Sequence, residues 1–265
     1  MIFFVFTSLI SSMAFAYETI PANKTVDIIS KRVLVSTHSA RHSNWDYALS
    51  SKVGLDTATQ KVKATGDSTY YIVESSPEFA IAGYGGYFWA DKNPTGFISA
   101  STQGEYMATF QASQIIWTGG YFESCSAASV GKTLSAIADH PQNVPEFVYV
   151  MDGLYTSCPD LLHMTIISPD AQFFYGNWVT NNLSQCLSSI SDKDRLQYIE
   201  IYLTQVIPLR IKEMLESNYY KPFYPALPPI EKFTFKIYYK NTYLGVVGSG
   251  PIIQKLSFVD SADIK

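Results

Sequence analysis

Hydrophobic and polar positions fall into short blocks along the chain, and the period within each block predicts an element. Arg32-Val-Leu-Val-Ser is strand-like, and Ser68-Thr-Tyr-Tyr-Ile-Val is a strand by its β-branched and aromatic content. Between them, Ser43 to Val53 reads as a helix carrying Trp45, Tyr47, Ala48 and Leu49. Gly83, Gly85 and Gly86 punctuate an aromatic loop. Gln114-Ile-Ile-Trp117 is a further strand, ended by Gly119-Gly120, and Ala127 to Ala138 is a helix. Beyond Pro145, Glu146-Phe-Val-Tyr-Val and His163-Met-Thr-Ile-Ile are strands. The longest helical pattern runs from Lys193 to about Tyr219, with Leu196, Ile199, Leu203, Val206, Leu209 and Ile211 broadly at helical spacing. Pro208 falls inside it and should kink or split it. After the prolines of 221–229, Phe233–Tyr239, Tyr243–Val247 and Ile252–Phe258 read as strands, the first two closing around Asn241-Thr242. The expected class is α+β, with a core over residues 17–140 and a C-terminal α+β part, 141–265, packed on it.

Composition narrows the function classes. Charged residues are 16% of the 265, against about 25% in an ordinary soluble domain. Nineteen basic and 23 acidic side chains give a net charge of −4, with no Lys/Arg run. Nucleic-acid binding that neutralises many phosphates is therefore not expected. Residues 1–16, MIFFVFTSLISSMAFA, form an apolar segment ending in the small-x-small pattern Ala14-Phe15-Ala16. This reads as a signal peptide, with a secreted mature chain from near Tyr17. The run is shorter than the roughly 20 apolar residues that a membrane span needs. Three cysteines, Cys125, Cys158 and Cys186, allow three alternative single bridges. Asn23-Lys-Thr and Asn182-Leu-Ser are N-glycosylation sequons.

Three segments carry candidate chemistry. They are Val35-Ser-Thr-His-Ser, then Ser68-Thr-Tyr-Tyr-Ile-Val-Glu, then Gln103-Gly-Glu-Tyr-Met-Ala ahead of Ser113-Gln-Ile-Ile-Trp. Over residues 33–122 their order resembles the A chains of heat-labile enterotoxin and cholera toxin, secreted mono-ADP-ribosyltransferases. The resemblance implies a split antiparallel β-sandwich with flanking helices and NAD⁺ as substrate. It also implies transfer of ADP-ribose to a host protein target, with a delivery subunit as partner. Carried across, Glu105 is the catalytic carboxylate that stabilises an oxocarbenium-like transition state. Gln103 stands where the family has its first Glu, and an amide cannot act as a general base. Ser36 and Thr37 would hold the NAD⁺ pocket open. The phosphate-gripping arginine of the family lies further upstream; here Arg32, the one arginine between Tyr17 and Val35, or Arg41 would have to substitute, and neither matches residue by residue. That departure leaves activity open between a working enzyme and a degenerate relative.

A rival placement in the same superfamily puts the Ser-Thr-Ser strand at Gly96-Phe-Ile-Ser-Ala-Ser-Thr, with Glu200 as the acid. Glu200, however, sits inside the strongest helical pattern, where a solvated face is the ordinary reading. The alternative function is a non-catalytic secreted binding protein for a protein or carbohydrate, using the aromatic loop with Tyr84, Tyr87, Phe88 and Trp89. Ser126-Ala-Ala-Ser-Val-Gly-Lys132-Thr133 lacks the first glycine of a phosphate loop and reads as a helix start. His38 and His42 lack the Glu of a metalloprotease helix, and no metal is expected.

Overall fold

The computed structural model describes residues 31–37, 50–73, 95–99, 112–158, 181–217, 221 and 226–265. Nine strands form one sheet: β1 (Arg32–Thr37), β2 (Ser68–Val73), β3 (Gly96–Ser99), β4 (Gln114–Gly120), β5 (Glu146–Thr156), β6 (Asn181–Asn182), β7 (Phe233–Tyr239), β8 (Thr242–Gly248) and β9 (Ile252–Val259). Their order is β3-β2-β1-β4-β5-β9-β7-β8, with β6 pairing beside β5. The pairs β1·β2, β2·β3, β1·β4, β4·β5, β5·β9 and β7·β9 are parallel. Among the described strands only β7·β8 and β5·β6 are antiparallel. The expected split antiparallel sandwich is therefore corrected to a mixed α/β architecture on a mostly parallel sheet. Strands from both sides of residue 140 share that sheet, since β4 pairs with β5.

Parallel strands need crossovers, and these are helices: α1 (Lys52–Ala64) links β1 to β2, and α2 (Cys125–Asp139) links β4 to β5. The two lie on opposite faces. Ala58 and Val62 of α1 pack with Leu34, Ile116, Val148 and Val150. Ala127, Val130, Leu134 and Ile137 form the buried stripe of α2 and pack with Val33, Val35, Ile115, Trp117, Phe147 and Tyr149. Alternate residues of each central strand thus bury on opposite faces, which produces continuous apolar runs instead of in–out alternation. The predicted helix over 43–53 overlaps only the start of α1, and residues 38–49 lie outside the described ones. In α1, Leu55, Ala58, Thr59 and Val62 carry the buried stripe between polar neighbours.

On the α2 face lie α3 (Leu183–Ser188), α4 (Asp192–Ile201) and α5 (Ile207–Glu216). The expected interruption at Pro208 does not end the helix: the backbone stays αR from Ile201 through Ile207, and the irregularity is a π-helical turn, Tyr202–Val206, immediately before α5. Pro208 lacks the N–H that would continue the regular ladder, and the π turn directly precedes it while the backbone stays helical on both sides. α2 and α5 touch closely at Gly131, where a Cβ would lie 2.9 Å from Ile207 Cγ2. The hairpin β7–β8 turns at Lys240-Asn241, one residue earlier than the pattern predicts. Both residues have positive φ, +46° and +66°, the geometry that two-residue hairpins favour.

Candidate functional site

In the strand order, β2 and β3 lie on one side of β1, and β4 and β5 lead away on the other. The boundary between β1 and β4 is the topological switch point. In open α/β sheets ligands bind outside the carboxyl ends of the strands at that point. Ser36 and Thr37 end β1 and pair in register with Thr118 and Gly119 of β4. Gly119 has φ +83°, and a Cβ on it would lie 2.1 Å from the Thr37 carbonyl oxygen, so the strands require glycine here. Ser36 Oγ, Thr37 Oγ1 and, at the start of α2, Ser126 Oγ are buried without a hydrogen-bond partner.

The turn from β4 into α2 presents a thiol. Cys125 is the first residue of α2 and is half-buried. Ser124, the N-cap residue, makes no side-chain capping bond; its Oγ lies 3.9 Å from Cys125 Sγ. The N–H groups of Ser124 and Ser126 both donate to the Tyr121 carbonyl at 3.0 Å, closing the turn tightly. The sulfur therefore stands at the positive end of the α2 dipole, the setting in which proteins place nucleophilic thiolates.

Behind the thiol, Glu123 is 4% exposed. Its Oε2 accepts from Thr156 Oγ1 at 2.8 Å, and its Oε1 accepts from the Ser157 N–H at 2.6 Å and from the Ser157 hydroxyl. Burial pushes the Glu123 carboxyl above its ordinary value, and the hydrogen bonds from Ser157 and Thr156 oppose that shift without cancelling it. Tyr198 and Tyr202, from α4 and the π turn, are also raised, chiefly by burial, with the Glu123 charge adding to it. One residue beyond Ser157, Cys158 bonds to Cys186 with Cα atoms 5.6 Å apart, which selects one of the three possible bridges. Cys125 takes no part in it.

Of the predicted site residues, Ser36 and Thr37 stand at the switch point, while Arg32 begins β1, about 16 Å away along a six-residue strand. There its Nε bonds Asp67 at 2.9 Å and its Nη2 bonds Thr65 Oγ1 at 2.6 Å. Glu105 and Gln103 lie outside the described residues, as do His38, Arg41, His42 and the aromatic loop with Tyr84, Tyr87, Phe88 and Trp89. Glu200 is exposed on α4. Residues 126–133 lie within α2. Asn182 caps α3: its Oδ1 accepts from Gln185 N–H at 3.0 Å and its Nδ2 donates to the Ser50 carbonyl at 3.0 Å. Sequence reasoning treated Cys125 only as a bridge candidate. The available signal was its position, a cysteine opening a helix directly after a glycine-ended strand. Among the described residues no helix is long and apolar enough to cross a membrane.

No protein-family model matches the chain, and no curated protein matches it. Among solved structures it is similar to the N-carbamoylsarcosine amidase from Thermoplasma acidophilum. The identity is 12%, over 56% of this chain and 92% of that one, with a TM-score of 0.33. The expectation of an enterotoxin-type ADP-ribosyltransferase is corrected on these findings. The sheet is mostly parallel where that fold is antiparallel, and neither a family model nor a curated protein supports the resemblance.

Proposed function

We propose that this chain is a thiol-dependent enzyme of the acyl-transfer or hydrolase class, acting on a small carbonyl compound at the β1/β4 switch point. The observation that supports it is the placement of Cys125 as the first residue of α2, beside the carboxyl ends of those two strands. In this reading the Cys125 thiolate attacks a carbonyl carbon. The developing oxyanion is met by first-turn N–H groups of α2, at the positive end of the helix. Collapse breaks the bond to the leaving group, which takes a proton from water to depart as amine or alcohol, and leaves a thioester that water hydrolyses to the carboxylic acid and the thiol. The hydroxyls of Thr37 and Ser126, buried without partners, supply hydrogen bonds to polar atoms of the substrate. A secreted location is part of the proposal: the Cys158–Cys186 bridge supports what residues 1–16 imply.

The test is hydrolysis of a panel of p-nitrophenyl esters and p-nitroanilides by the purified protein and by Cys125→Ser. Loss of about a thousandfold in kcat/KM on that substitution is expected, together with one-to-one inactivation by iodoacetamide at Cys125. Hydrolysis unchanged in Cys125→Ser, or a Cys125 that alkylates no faster than a free cysteine, overturns the reading.

A further inference from the structure

We infer that Glu123 is the positioning residue for the Cys125 thiol, clamping the β4–α2 turn to the carboxyl end of β5. The inference rests on the nucleophile reading above and deepens it. The turn is short, running from Tyr121 to Ser124, and is fastened to β5 at two points. At its start, the Phe122 N–H donates to the Tyr155 carbonyl at 3.0 Å, and the rings of Tyr121 and Tyr155 meet edge to face. Toward its end, two residues before the thiol, the Glu123 carboxylate takes both donors of Ser157 and the hydroxyl of Thr156. Thr156 is itself aimed: its Oγ1 accepts from the Cys158 N–H at 3.1 Å, which turns its own proton toward Glu123. All three donors are thus fixed by backbone that the Cys158–Cys186 bridge holds.

Such an arrangement does work that capping does not. Ser124 leaves the first turn of α2 without a side-chain cap, so local support comes from the backbone bonds to the Tyr121 carbonyl. That local turn is tied in place from outside, through Glu123. A buried carboxylate is a costly anchor unless all its acceptor sites are met, and here three donors meet it. An apolar residue would make none of these three bonds, so the retained carboxyl serves geometry. Glutamine keeps one acceptor oxygen for Ser157 and presents an amide to Thr156, whose hydroxyl can rotate to accept from it. Alanine keeps nothing.

The experiment measures the second-order rate of Cys125 alkylation by iodoacetamide from pH 5 to pH 10, in the full chain with its disulfide intact. Wild type, Glu123→Gln and Glu123→Ala are compared, with circular dichroism and thermal melting on each. The expected result is a drop of about tenfold to a hundredfold at pH 7 in Glu123→Ala. Glu123→Gln recovers most of the rate. Should Glu123→Ala fail to fold, Thr156→Val and Ser157→Ala, each removing one donor, are expected to give intermediate losses. Profiles of folded variants that superimpose on a reactive wild type overturn the clamp and leave the nucleophile standing. A wild-type profile like that of a free cysteine overturns both.

Discussion

Thr37 and Gly119 face each other across β1 and β4 so closely that a single methyl group on Gly119 would lie 2.1 Å from the Thr37 carbonyl oxygen. The contact is backbone to backbone, so no side chain can swing away to relieve it. Gly119→Ala also places an L-residue at φ +83°. The substitution is expected to cost at least about 2 kcal/mol. Urea unfolding of the variant checks this, and a midpoint equal to that of the wild type would contradict it.

Glu123 makes stability fall as pH rises. Its carboxyl is held above the ordinary 4.5 by burial, so the folded state binds that proton more tightly than the unfolded chain. The contribution is fully present below pH 4.5 and is lost as pH climbs through the raised value. Urea midpoints at pH 4.5, 6 and 7.5 are expected to decline in the wild type relative to Glu123→Gln, which carries no titrating group there. Parallel curves for the two proteins would refute the assignment.

Glu146 acts in the opposite sense. Burial pushes its carboxyl up, but hydrogen bonds from Ser257, Lys255 and Gln114, with the Lys255 charge, carry it below the ordinary 4.5. Its contribution is present above pH 4.5 and disappears as pH falls through the lowered value. Glu146→Gln is expected to lose about 1 to 3 kcal/mol at pH 7, and the gap to the wild type should close under acid. A gap that stays constant down to pH 2 would show that Glu146 is not the group responsible.

The Cys158–Cys186 bridge closes a loop with a sequence separation of 28. Chain-entropy arguments give about 3 to 4 kcal/mol for a loop of that size. Replacing both cysteines by alanine should lower stability by that order. It should also slow Cys125 alkylation, because Ser157, which holds Glu123, is the neighbour of Cys158. Thermal melting and the alkylation rate would separate the two effects. A stability loss without any change in rate would place the bridge outside the site.

Local patterns of the chain were more legible than their assembly. The final three strands and α2 fall within a residue or two of their observed limits, because their β-branched, aromatic and helical periods have no competitor. Pro208 marked the irregularity between α4 and α5, because it lacks the N–H that would continue the ladder. Strand order is different, since it depends on which face each crossover takes and not on any one segment. A clue was present in Val33-Leu34-Val35 and Ile115-Ile116-Trp117, unbroken apolar runs that mean burial on both faces and hence a parallel sheet. Helix α1 was missed because Asp56, Thr57, Thr59, Gln60 and Lys61 outnumber the apolar positions that define its buried stripe. The role proposed for Cys125 went unread because it depends on where β1 ends, which lies 88 residues earlier in the sequence.

Strand β9 slots between β5 and β7, although it follows both in the sequence. A ribosome therefore delivers the two neighbours well before the piece that joins them. Until residues 252–259 emerge, β5 offers a bare edge, and the β7–β8 hairpin has no sheet to join. Growing chains would thus carry an open, adhesive flank until that strand arrives, a hazard for association with sister chains on the same message. A stop codon placed just upstream of Ile252 should yield aggregates instead of a smaller soluble protein.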